Sequence, residues 1–142
     1  MEESLAIRRD LGDRAGMTES LCTLGMVVRE QGNILQARAL LREGLTISVE
    51  LGIRSIVGNA MDGIAACSSE AVLAARIWGA AERLREEIDA PMVPEDIPRF
   101  NRDVAAARHT LADTIAFDGA WKEGRAMTME QAIEHAYRGN LQ

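Results

Sequence analysis

The sequence repeats itself at an offset of 40 residues, and this constrains the fold more than any other feature. Residues 2–14, EESLAIRRDLGDR, lie over residues 42–54, REGLTISVELGIR, with Glu3 on Glu43, Leu5 on Leu45, Ile7 on Ile47, Leu11-Gly12 on Leu51-Gly52 and Arg14 on Arg54. The same ungapped register sets Leu21 on Met61, Leu24 on Ile64 and Gly25 on Ala65. A single unit of this size cannot bury its apolar face, whereas stacked copies can. The spacing inside each unit is helical. Residues 16–31 place apolar or small residues at 17, 21, 24, 25 and 28, and residues 34–50 put Ala37, Leu40, Leu41, Gly44 and Leu45 on one face. Gly32-Asn33 breaks the chain between the two helices. Leu51-Gly52 ends the second, with Gly52 suited to a left-handed position just past the last turn.

The next unit departs from this register. Its helices are expected over 55–67 and from about Glu70, but Ala65 to Ala74 is nine residues where Gly25 to Ala37 is twelve. About three residues are therefore expected to be missing from the turn, with a serine of Ser68-Ser69 as N-cap of the following helix. Past residue 88 the repeat stops, and all three prolines fall at 91, 94 and 98. Asp96 is a plausible N-cap for a helix over 97–111 with the stripe Phe100, Val104, Ala107 and Leu111. Asp113-Thr114 starts another helix carrying Ile115, Phe117 and Trp121. Thr128 and Gln131 form a capping box for a last helix, which Gly139 ends. The composition agrees: alanine, leucine, arginine and glutamate dominate, and the aromatics are Trp78, Trp121, Phe100, Phe117 and Tyr137 alone.

Leu21, Leu24-Gly25, Val28, Ala37, Leu41 and Gly44 together resemble the tetratricopeptide repeat, in which large and small residues alternate so that two helices approach closely. The spacing exceeds the usual unit of about 34 residues and resembles the long-helix variant of large bacterial signalling regulators. RIWGAAERLR at 76–85 and AFDGAWKEGRAMTMEQAIE at 116–134 are similar to the C-terminal repeat region of bacterial LuxR-type and ATPase-linked transcriptional regulators. The resemblance implies an all-α fold of antiparallel helix hairpins in a right-handed superhelix. It divides the chain into a half unit 1–12, a unit 13–52, a unit 53–89 and a C-terminal helical cap 90–142. It also implies a cytoplasmic protein- or peptide-binding scaffold, the interaction or sensory part of a regulator. The alternative is a small-molecule inducer-sensing domain with an enclosed pocket around Trp78, Trp121 or Phe117. The family's ligand-facing positions fall on Glu19, Cys22, Thr23, Met26 and Arg29, and in the next unit on Asn59, Asp62, Gly63 and Ala66. Their mixed charges lead to the expectation of a polar ligand, with Arg29 holding a carboxylate bidentately. The chain has neither a Gly-x4-Gly-Lys-Ser/Thr loop nor a helix-turn-helix, so the nucleotide- and DNA-binding parts of such regulators do not carry over.

Several classes are disfavoured. A net charge of −6 with Lys122 as the sole lysine argues against direct nucleic-acid binding. The longest apolar run, Ala71 to Ala75, is far below the roughly 20 residues of a membrane helix. Cys22 and Cys67 are too few for a disulfide framework and show no metal-ligand spacing. His109 and His135 lack positioned partners, Ser68-Ser69 lacks a glycine elbow, and Glu86-Glu87 are expected to be solvated surface. No catalysis, cofactor or metal is therefore expected. At the N-terminal edge the repeat begins mid-unit, leaving Leu5, Ile7 and Leu11 with apolar surface. A homodimer through this helix, or an upstream repeat, is expected to cover it.

Overall fold

A computed structural model of the chain describes residues 13–139, which form seven α-helices and one short 3-10 turn. The helices are α1 (Arg14–Glu30), α2 (Ile34–Leu51), α3 (Arg54–Cys67), α4 (Ala71–Glu87), α5 (Ile97–Leu111), α6 (Thr114–Ala126) and α7 (Met129–Gly139). The fold is all-α, with α1/α2 and α3/α4 forming two antiparallel hairpins stacked side by side, α2 against α3 and α1 against α3. The expected dimer edge, Leu5, Ile7 and Leu11, lies outside the described residues, as does the half unit 1–12. Among the described residues no helix is long and apolar enough to cross a membrane.

Local chemistry sets most helix ends where the sequence places them. The Asp13 carboxylate accepts from the Gly16 amide at 2.8 Å to open α1, and Asn33 accepts from Gln36 to open α2. Gly52 ends α2 at φ 70°, a conformation that costs a glycine little. The Asp113 carboxylate accepts from the Ala116 amide, and Thr128 and Gln131 exchange two hydrogen bonds as a complete capping box for α7. Two expected caps are replaced. Asp96 takes a helical conformation at the end of the turn Pro94–Asp96, and its carboxylate pairs with Arg99 at 3.5 Å instead of capping α5. Ser68 closes its own turn by accepting from the Glu70 amide, so Glu70 stands at the N-cap of α4 without a side-chain bond.

The missing three residues are taken from the helix rather than from the turn. Residues 31–33 and 68–70 are connections of equal length, whereas α1 has 17 residues and α3 has 14. A connection already at three residues has no slack, while a helix can lose most of a turn and keep its inward face. Arg38 then reaches across from α2 and donates through Nε to the Cys67 carbonyl at 3.0 Å, satisfying a group that the shortened end of α3 exposes.

Small residues set the helix spacing. The Leu41 side chain wedges between two glycines, 2.8 Å from where a Cβ on Gly25 would stand and 2.7 Å from one on Gly63, so one leucine ties the first hairpin to the second. The core continues through Leu21, Leu45, Met61, Ile64, Ile77 and Leu84 to Trp78 and Phe117. Helix α6 crosses α4 at two further glycines: a Cβ on Gly79 would meet the Trp121 carbonyl oxygen, and one on Gly124 the Arg76 carbonyl oxygen. Helix α7 packs on α4 and α3, and Tyr137 reaches α2 through a 2.7 Å hydrogen bond between its hydroxyl and that of Thr46.

Candidate functional site

Helix α5 does not continue the stack. The Pro91–Pro98 stretch turns the chain back over the face formed by α1 and α3. There Arg29 of α1 donates to both carboxylate oxygens of Asp103, at 2.8 and 3.1 Å, with the two side chains only 16% and 9% exposed. Arg102 adds a second, exposed tie to Glu30 at 2.9 Å. Phe100 stands edge-on to Trp78 with ring centroids 6.1 Å apart, and Trp121 closes a triangle with them, 6.3 Å from Trp78 and 6.5 Å from Phe100.

Between this roof and the hairpins lies a half-open cavity of about 610 Å³. Its floor is Glu19, Cys22, Thr23 and Met26 of α1 with Asn59, Asp62, Gly63 and Ala66 of α3, and its far wall is Trp78 and Arg85 of α4. Met92, Asp96, Arg99, Phe100 and Asp103 form the roof. Eight of the nine ligand-facing residues expected from the sequence, Glu19, Cys22, Thr23, Met26, Asn59, Asp62, Gly63 and Ala66, thus line one space. Arg29, the ninth, does not line it: the carboxylate it holds belongs to the chain's own Asp103. Trp121 and Phe117, named in the sequence as markers of an enclosed pocket, lie outside its lining, and so do both histidines. The roof residues escape a repeat-frame reading. Phe100 reads only as one member of an apolar stripe, and what marks it is Asp103 three residues on, the same side of the helix.

The electrostatics of the floor follow from burial. Asp62 is paired with Arg85, whose guanidinium also donates to Asn59 Oδ1 at 3.2 Å, yet its other oxygen, Oδ1, is buried without a hydrogen-bond partner. Burial pushes this carboxyl up to about 6, outweighing Arg85 and Arg99, which pull it down; Asp96 adds to the rise. The Cys22 thiol is pushed up to about 12, first by burial and then by Glu19, so it stays protonated at neutral pH.

The Asp62 shift has a direct consequence for stability. The folded chain keeps this proton up to about pH 6, whereas the ordinary carboxyl releases it near 3.8. The site's contribution to stability is full below the lower value and falls as the pH rises between the two. Urea unfolding across that range should show Asp62→Asn gaining stability relative to the parent as the pH rises. An identical pH profile in the two proteins would mean that Asp62 does not titrate there.

Glu86 and Glu87 are exposed, as expected, and each also meets arginines at the surface. Arg125 of α6 holds Glu86 at 2.8 Å, and Arg54 and Arg83 hold Glu87. The Glu86 pair joins α4 to α6, the Arg54 pair joins α3 to α4, and the Arg83 pair lies within α4; each is exposed and contributes little.

No family model matches the chain, and no curated protein and no solved structure matches it.

Proposed function

We propose that this chain is a non-catalytic binding module whose ligand is a small molecule held between the repeat hairpins and α5. The observation that supports it best is the roofed cavity. Its volume, about 610 Å³, falls in the range of roughly 300–1,000 Å³ usual for small-molecule sites. Met26, Met92, Trp78 and Phe100 line it together with seven charged side chains, so it carries more charge than such sites usually do and suits a polar ligand. The protonated Cys22 thiol supports binding over covalent chemistry. The sequence likeness at 76–85 and 116–134 supports placing the module in a bacterial cytoplasmic regulator as its sensory part.

A thermal-shift screen of a small-molecule panel tests this reading. A ligand that binds only the folded chain raises its melting temperature with concentration. Ala66→Trp, which fills the cavity from its floor, should abolish those shifts. Hits indifferent to Ala66→Trp, or no hits at all, would count against the cavity.

The Arg29–Asp103 pair favours a second reading, in which the α1/α3 face takes a peptide and α5 is its resident occupant. On either reading the pair is the latch. Removing one partner of a largely buried pair leaves the other charge uncompensated, which costs about 3–5 kcal/mol when burial is complete and less here. Asp103→Asn is expected to cost about 2 kcal/mol and to raise hydrogen exchange in residues 97–111 while α2 and α4 stay protected. Unchanged exchange in α5 would show that the latch holds nothing.

A further inference from the structure

We propose that the cavity between the hairpins and α5 takes a small organic monocation, an amine or quaternary ammonium with an apolar body. The inference rests on the cavity reading above and adds the ligand's charge.

The argument is one of charge matching. Five carboxylates line the space (Glu19, Glu30, Asp62, Asp96 and Asp103) against two guanidiniums, Arg85 and Arg99. Four of the five are already matched: Asp62 by Arg85, Asp96 by Arg99, Asp103 by Arg29 and Glu30 by Arg102. Both lining guanidiniums are thereby engaged, which leaves no free cation for an anionic ligand among the described lining residues. Glu19 remains. Its side chain has no ion pair or hydrogen bond among the described residues, since the Thr23 hydroxyl bonds its backbone carbonyl instead. The lining therefore carries one unmatched negative charge, on the exposed Glu19 at its edge.

Two further observations agree with that unmatched charge. The buried Oδ1 of Asp62 has no hydrogen-bond partner, so Arg85 alone leaves this carboxylate incompletely satisfied. Glu19 raises the Cys22 thiol, which places a negative potential on the α1 side of the floor, whereas at Asp62 Arg85 and Arg99 outweigh Asp96. The remaining surface suits the body of such a cation. Phe100 is a half-buried ring on the roof, and Met26 and Ala66 line the floor. Aromatic rings and soft sulfur beside carboxylates favour alkylammonium groups over hydrated metal ions, and among the described residues no group of three or more side chains is placed to hold a metal.

The test uses one molecular body with three charges: benzyltrimethylammonium and benzylamine, benzyl alcohol, and benzoate, each titrated calorimetrically into the chain at low salt. The expected order is cation first, alcohol about tenfold weaker or more, and benzoate weakest. Glu19→Gln should weaken the cations about three- to tenfold and leave the alcohol unchanged. Thr23→Lys, which sets a positive charge on the same exposed edge, should abolish cation binding. Benzyl alcohol or benzoate binding as tightly as the cations, with Ala66→Trp abolishing it, would overturn the cation and keep the cavity. The same result follows if both charge variants leave cation affinity unchanged. If no member of the set binds at millimolar concentration, the cation is overturned. The cavity then stands or falls on the broader panel.

Discussion

Gly124→Ala should lower the stability of this chain by about 3 kcal/mol or more, although alanine is the best helix former and glycine among the poorest. Helix propensity alone predicts a gain of up to about 1 kcal/mol within a helix. The contact reverses the sign. A Cβ at Gly124 would meet the carbonyl oxygen, carbonyl carbon and Cα of Arg76, all backbone atoms of α4, which cannot swing aside as a side chain does. Gly79 meets the backbone of Trp121 in the same way from the other helix, so the crossing is reciprocal. One added methyl therefore has to push α6 off α4. Overpacking ordinarily costs about 1–3 kcal/mol, and backbone against backbone belongs at the upper end or beyond. For a chain of this size that is a fall in melting temperature of roughly 10 °C. Gly119→Ala is the internal control: it lies in the same helix with nothing within 4 Å of its Cβ, and it should be neutral or slightly stabilising. If thermal unfolding cannot tell the two variants apart, α6 does not cross α4 at these glycines.

Trp78→Ala is expected to cost about 3–5 kcal/mol, the usual range for emptying a large aromatic site. Trp78 is 2% exposed and touches two other rings of the aromatic cluster, Phe100 and Trp121. It also divides two spaces. A second cavity of about 440 Å³ lies on its other side, beneath Pro91, Ile97 and Asn101, and shares Trp78, Arg85, Met92 and Phe100 with the first. Truncation merges the two and removes the ring on which α5 rests. Denaturant unfolding should therefore show the full loss of stability, and any ligand of the first cavity should lose affinity with it. Trp78→Phe keeps an aromatic wall and should recover most of both. A Trp78→Ala protein within 1 kcal/mol of the parent, well under that range, would mean that α5 is not supported on this ring.

The helices were legible because their signals are local. Apolar spacing fixed α1 to α4, and Asp13, Asn33, Gly52, Asp113 and the Thr128–Gln131 box fixed ends that depend on neighbours only a few residues away. The missed caps, Asp96 and Ser68, chose a competing local bond: an ion pair to Arg99 and a closed turn onto Glu70. The three-residue deficit was visible, but its place was not, because sequence spacing between two helices does not say whether helix or turn gives way. Most of the cavity floor was also legible, since repeat geometry puts Glu19, Cys22, Met26, Asn59 and Asp62 on one face. The roof was not. Nothing in a stripe of Phe100, Val104, Ala107 and Leu111 says which of several faces it covers, and Arg29 and Asp103 are 74 residues apart. Gly79 and Gly124 were equally silent, because a glycine inside a helix has meaning only when the opposing backbone is known.

Helix α5 has no fully buried residue, and it is joined at both ends through residues with positive φ that are not glycine, Asp89 at 51° and Ala112 at 56°. Such backbone is held against its own preference by about 1 kcal/mol or more. The proposed site is half-open and takes its roof from α5, so a ligand there would touch α5 and the hairpins together. The apparent affinity would then scale with the fraction of the chain in which Asp89, Ala112 and the Arg29–Asp103 pair hold α5 in place. Asp89, Ala112 and Arg29 lie outside the lining of this cavity, so its sensitivity could be tuned there without altering a residue that touches the ligand.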